Sequence, residues 1–301
     1  MARQASIAYH VEGLLGTAVI ATSPVAGGNL CVATRVRLGD GRSVFVKTRP
    51  GAPESFFATE ARNLAWLRAA GEDAAAVPEV LGYDRECLVL SWVETGRPTP
   101  EAAERLGRAL AHTHLAGAPT FGAEVDGFIG PLPQPNAPSE RWPEFYGRYR
   151  VEPYLRMAFN RGRLDAGDAN AICGVLDHLD ELAGPPEPPA RIHGDLWSGN
   201  IIWSPDGVPR LVDPAAYGGH RESDLATLVL FGAPHLDRLL AAYQEVYPLA
   251  DGWRDRLLIH HLHPLLAHAA MYGGSYGARA GQVARRILSA RQRQTSGASL
   301  P

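Results

Sequence analysis

Residues 191–214 read RIHGDLWSGNIIWSPDGVPRLVDP. Two apolar runs, Ile201-Ile202-Trp203 and Leu211-Val212, flank Ser204-Pro205-Asp206-Gly207. Pro-Asp-Gly between apolar runs signals a hairpin. Folding that hairpin brings Asn200 within a residue or two of Asp213, and His193-Gly194-Asp195 lies on the loop leading in. Two oxygen donors side by side, Asn200 and Asp213, suit Mg²⁺. That hard cation takes a few protein oxygens and completes its shell with water and phosphate oxygens. Asp195 stands outside the pair, where its carboxylate can accept a proton from a hydroxyl.

The rest of the chain supplies what such a site needs. Lys and Arg together number 29, and Lys47 is the one lysine among them. A chain that otherwise uses Arg keeps an ammonium where a compact charge on a flexible stem is required. Lys47 ends the run Val44-Phe45-Val46-Lys47, the last of three strands read from TSPVAGGNLCVATRVRLGDGRSVFVKTR (22–49), with turns at Gly27-Gly28 and Gly39-Asp40-Gly41. Glycines at 27 and 28 would let backbone N–H groups approach phosphates. Phe57, Ala61, Leu64 and Leu67 then recur at helical spacing, and Gly71 closes the helix. Glu60 falls on that apolar stripe and so points inward, where a carboxylate needs a partner; Lys47 is available.

Two further strands are predicted near 80–83 and 87–92, giving a small antiparallel sheet with one helix against it. The turn-rich run Glu94–Pro100 marks a boundary, so the chain divides into an N-terminal lobe, 1–94, and a mainly helical C-terminal lobe, 95–301. Helical patterns cover about 101–116, 139–162, 166–183, 222–231, 234–247, 252–272 and 276–293, with loops at 117–138 and 184–190 and a short helix opening the chain.

Composition narrows the function. With 46% hydrophobic residues and a net charge of −3, the chain has material for a large core and no basic face for nucleic acid. No apolar run approaches the length of a membrane span. Cys31, Cys87 and Cys173 have neither disulfide nor metal-site spacing, which fits a cytoplasmic, reducing setting. His260, His261, His263 and His268 read as helix positions of mixed facing rather than a zinc site. His112 and His114 read as helix-packing positions beneath the 193–200 loop.

His193-x-Asp195-x-x-x-x-Asn200, with Asp213-Pro214-Ala215 beyond, resembles the catalytic loop and metal-binding element of the protein-kinase-like fold. HGDLWSGNIIW, LVDPAAYGGHRESDLA, FIGPLPQPN (128–136) and the Trp142–Tyr146 block are similar to fructosamine (ketosamine) kinases. The resemblance spans roughly residues 20–290. It implies a two-lobed α+β fold with ATP and Mg²⁺ between the lobes. Lys47 would hold phosphates, Glu60 would hold Lys47, Asp195 would be the base, and Asn200 and Asp213 would be the metal ligands. Ser91, Trp92, Val93 and Glu94 would form the hinge for adenine. Trp197 and His220 would contact substrate, and Asp224 would brace the catalytic loop. The Gly turn lacks a full G-x-G-x-x-G, and no A-P-E element follows, which separates the chain from protein kinases.

The resemblance thus implies transfer of the ATP γ-phosphoryl to the 3-hydroxyl of a ketosamine, free or on a glycated peptide or protein, in deglycation. Two alternatives stand beside it: a kinase for another small alcohol, such as an aminoglycoside or choline, and a kinase fold used only for binding. The sequence leaves monomer and dimer, and the preferred sugar, open.

Overall fold

The structure is a computed structural model that describes residues 2–26 and 30–297, with side chains from 7–26 and 30–293. The turn glycines Gly27 and Gly28 therefore lie outside the described residues.

The N-terminal part is a five-stranded antiparallel sheet between two helices. Helix α1 (Ala2–Leu15) precedes β1 (Val19–Pro24), β2 (Val32–Leu38) and β3 (Ser43–Thr48). Helix α2 (Phe56–Arg68) and strands β4 (Val80–Tyr83) and β5 (Cys87–Ser91) follow. The strand order is β1-β2-β3-β5-β4. Side chains alternate across β3 with period two. Val44 and Val46 pack toward Ile7 and Val11 of α1. Phe45 packs with Phe57, Ala61 and Leu64 of α2, and Lys47 lies on that same face. Helix α1 is thus a second cover for the sheet, where the sequence reading put one helix. Its His10 is tied to Asp84 (3.0 Å) and Glu86 (2.8 Å) in the β4–β5 turn.

Residues 92–99 are irregular, and helices dominate beyond them. Helix α3 (Pro100–Leu115) starts on Thr99, whose hydroxyl accepts from Ala102 N–H, with Pro100 in the first turn. The region expected as loop 117–138 contains a hairpin, β6 (Gly127–Ile129) and β7 (Leu132–Gln134). Three-residue strands are too short to show alternation, which is why the pattern hid them. The expected helix 139–162 is α4 (Trp142–Tyr146) and α5 (Glu152–Asn160), joined by a π-turn over Gly147–Val151. Pro153 explains the break. It lacks an N–H, and its ring crowds the carbonyl one turn back. The expected helix 166–183 is likewise two, α6 (Ala166–Leu176) and α7 (Leu179–Leu182).

Short strands follow: β8 (Ala190–Ile192), then the hairpin β9 (Ile201–Ile202) with β10 (Arg210–Leu211), then β11 (Tyr217–Gly219), which pairs with β8. Helices α8 (Glu222–Phe231), α9 (Leu236–Val246), α10 (Trp253–Tyr272) and α11 (Tyr276–Gly297) complete the chain. Two large apolar clusters hold this part. One gathers α10 with α5, α6 and α11; the other packs α3 against α9 beside Leu196, Ile201 and Leu211. The second cluster sets the 193–213 hairpin on a rigid floor. No described helix is long and apolar enough to cross a membrane.

Candidate active site

The hairpin meets the register read from the sequence. Ile201 pairs with Leu211, and Val212 N–H donates to Asn200 O at 3.0 Å, so Asn200 and Asp213 lie one residue apart in register. Asn200 spends its amide group on Asp195, donating to the main-chain oxygen at 2.8 Å and to Oδ2 at 3.3 Å. Its Oδ1 is left for another partner. Asp213 adopts φ 56°, a left-handed conformation unusual for a residue with a side chain.

Lys47 joins the two parts of the chain. Its Nζ lies 2.6 Å from Glu60 Oε1 and also bonds Asp213 Oδ1. Strand β3 aims Lys47 at α2 because Phe45 and Lys47 share a face; α2 aims Glu60 back because it follows Phe56 and Phe57 by one turn. Burial opposes the Lys47 charge, but Glu60 and then Asp213 outweigh it and hold the ammonium above its ordinary range. Asp195 behaves in the opposite way. Burial, and then the neighbouring Asp213 charge, push its carboxyl up to about 7, with the Asn200 amide offsetting part of the effect.

The loop before Asp195 is held from behind. Asp224, at the start of α8, accepts from His193 N–H (2.7 Å) and Gly194 N–H (2.9 Å). His114 of α3 reaches the same carboxylate at 3.2 Å and Tyr243 Oη at 2.8 Å. Burial raises the Asp224 pKa, and the contacts with His114 and His193 more than reverse it, so the carboxyl lies below its ordinary range. His193 Nε2 contacts Val212 O at 2.9 Å, tying the loop to the far strand of the hairpin. Gly194 is required by geometry: it has φ 83°, and a Cβ there would lie 2.1 Å from Ala215 O. His114 therefore belongs to the brace, a role beyond the packing position expected for it.

The other sequence candidates fall in two groups. Trp197 is 39% exposed, and its ring lies over Gly199, where a Cβ would come within 2.2 Å of it. Ser91 ends β5 and is tied to Glu79 through both backbone and hydroxyl. Trp92 stacks under Arg35, and Glu94 pairs with Arg35 at 3.1 Å. Among the described residues, no backbone hydrogen bond outside the helices and strand ladders uses the N–H or C=O groups of Trp92, Val93 and Glu94. His220 departs from its expected place. It is 3% exposed, packed on Trp142 and His260, with Nδ1 accepting from Glu222 N–H at 3.2 Å. That is a packing environment, set apart from the Asp195 and Asp213 carboxylates by β11. His260, with Glu222, belongs to the same buried cluster, which Arg256 neutralises through three hydrogen bonds to the Glu222 carboxylate.

A buried Lys–Glu pair on an antiparallel sheet, above a loop carrying a raised carboxylate and a hairpin of oxygen donors, defines a phosphotransferase of the protein-kinase-like fold. The model of the fructosamine kinase family matches residues 4–290, and the chain belongs to that family. A probable ketoamine kinase of Enterococcus faecium is 35% identical over 265 residues, which are 86% of this chain and 92% of that one. A crystal structure designated a fructosamine-3-kinase, from Thermobifida fusca YX-ER1, is 49% identical with a TM-score of 0.90, covering 94% of this chain and 99% of that one. Choline kinase LicA of Streptococcus pneumoniae, at 17% identity and a TM-score of 0.62 over 96% of this chain and 100% of that one, shares the fold alone.

Proposed function

We propose that this kinase transfers the γ-phosphoryl group of ATP to the 3-hydroxyl of a ketosamine. The observation that carries the reading is Asp195, a carboxylate pushed up to about 7 and oriented by Asn200 on a braced loop. A base poised near neutrality can take the hydroxyl proton as the oxygen attacks. Lys47 spends one contact on Glu60 and one on Asp213. The Asp213 contact is the one it can exchange for a phosphate oxygen, with Glu60 keeping the ammonium in place. Gly27 and Gly28 are the candidates to cover the phosphates. The backbone of residues 91–94 is the candidate for adenine, although Ser91 N–H is already bonded to Glu79 O. Residues 1–94 and 95–301 would then be the two lobes of the kinase.

The donor set fits Mg²⁺. Asn200 offers a neutral oxygen and Asp213 a carboxylate that is 47% exposed, both hard ligands on one hairpin. When bound there, the cation would offset charge on the transferring phosphoryl group. Trp197, with one face on Gly199 and the other open, supports a platform for the apolar C–H face of a sugar. The substrate would be a sugar already attached to an amine, small or on a glycated peptide or protein. Phosphorylation there labilises the adduct.

The test is ATP consumption with Mg²⁺ against a panel of synthetic ketosamines, an aminoglycoside and choline, with Asp195→Asn alongside. Turnover of a ketosamine, lost by orders of magnitude in the variant, is the expected result. Turnover of choline or the aminoglycoside alone overturns the substrate assignment.

A further inference from the structure

The stretch FIGPLPQPN takes no part in the chemistry above, yet it reaches the metal-binding turn. Gln134 closes β7 and is 1% exposed. Its Nε2 donates to Ala215 O at 3.0 Å. From a different element, Asn63 of α2 donates to Pro214 O at 3.1 Å. Ala215 N–H donates to His193 O at 3.0 Å. The two peptide units after Asp213 are therefore gripped by α2, by the β6–β7 hairpin and by the catalytic loop. Asp213 itself has the left-handed backbone that an ordinary residue keeps only when its surroundings impose it.

The grip is itself anchored. Arg150 is 0% exposed and has no carboxylate partner among the described residues. It donates to Pro135 O (2.7 Å) and Asn136 Oδ1 (2.5 Å) and stacks over Tyr217, 3.7 Å from the ring centroid. Phe128 of β6 packs on Phe56 of α2 at 5.3 Å. Asn63 follows Glu60 by three residues, so both lie on one face of α2. One residue reaches Lys47 and the other reaches the turn.

We propose that Gln134 and Asn63 are positioning residues: they clamp Pro214-Ala215 from two separate elements and so hold the Asp213 carboxylate in the orientation that receives the divalent cation. The proposal rests on the reading of Asp213 as a metal ligand.

The experiment is calorimetric titration of ADP into the full chain, with and without Mg²⁺, for wild type, Gln134→Met, Asn63→Ala and Asp213→Asn, beside thermal unfolding. Each clamp variant loses one hydrogen bond to the turn, so the gain in ADP affinity from Mg²⁺ falls by roughly two- to tenfold. Metal-free ADP binding stays at the wild-type value. The two clamp variants lie on different elements and bond different carbonyls, so a folding defect in one leaves the other as the test. A clamp variant with lower thermal stability and an unchanged Mg²⁺ gain overturns the proposal and leaves the residues purely structural. Asp213→Asn separates the two ideas. If it keeps the Mg²⁺ gain, the metal-ligand reading fails and the clamp fails with it. If it loses the gain while both clamp variants keep it, only the clamp fails.

Discussion

Replacing Asp224 with Asn changes one oxygen to an NH₂ group and leaves volume almost untouched, so its effect isolates the brace. The carboxylate takes His193 N–H at 2.7 Å, Gly194 N–H at 2.9 Å and His114 Nε2 at 3.2 Å, and it is 1% exposed. An amide can accept through one oxygen only. Its NH₂ group must then face either Gly194 N–H or, in the other orientation, both His193 N–H and the imidazole. A hydrogen bond to a charged group is worth about 1.5–3 kcal/mol, and an orphaned buried donor costs a further 1–3 kcal/mol or so. The expected loss of stability is therefore about 3 kcal/mol, near the lower end of the roughly 3–5 kcal/mol for breaking a buried charged pair. Urea unfolding measures it as a lower midpoint at unchanged slope. Activity falls as well, because displacement of the Asp195 loop by ~1 Å costs on the order of 100-fold in turnover. His114→Gln, which disturbs the longest of the three contacts, costs about 1 kcal/mol. An Asp224→Asn protein within about 0.5 kcal/mol of wild type, with wild-type kcat, would refute the reasoning.

Other outcomes follow from the same geometry. Lys47→Arg puts a planar fork where a buried point charge bridges Glu60 and Asp213; kcat should fall by about 100-fold or more, and a variant with wild-type kcat contradicts the role given to the ammonium. The folded state holds the Asp195 carboxyl at about 7, well above its ordinary value of 3.8, so it favours the protonated form, and native stability falls as pH rises from about 4 to 7. Asp195→Asn escapes that loss. Its melting temperature should exceed the wild-type value at pH 8 and match it near pH 4, while wild-type kcat/KM declines below about pH 7 as the base is protonated. Gly199→Ala drives a methyl group into the Trp197 ring; sugar KM should rise several-fold while ATP KM is unchanged, and equal rises in both would detach Trp197 from the sugar.

The site was legible where its parts are close in sequence or share a simple period. The 200–213 hairpin announces itself through Pro-Asp-Gly, and its register follows from the turn. Lys47 and Glu60 were found because alternation on β3 and the apolar stripe of α2 each fix a facing, and the two facings meet. The clamp was not legible. Gln134 and Asn63 bond main-chain oxygens 81 and 151 residues away. A carbonyl carries no residue identity, so nothing at positions 214 and 215 announces a partner. The buried surroundings of His220 were not legible for the opposite reason. It lies seven residues beyond Asp213 in sequence, but β11 carries the chain away from the turn, so nearness along the chain did not become nearness in space.

These contacts divide the labour of the site between two sets of groups. Asp224, Asn63 and Gln134 bind backbone N–H and C=O groups of residues 193–215 behind the reacting face, and His114, itself held by Tyr243, steadies Asp224. Lys47, Asp195 and Asp213 make the contacts that ligands can compete for. The division follows from electrostatics. The carboxylates that face each other cost free energy to hold together, as the raised pKa of Asp195 beside Asp213 shows. Only a backbone fixed from behind keeps them from moving apart before a cation and a phosphate arrive to balance the charge.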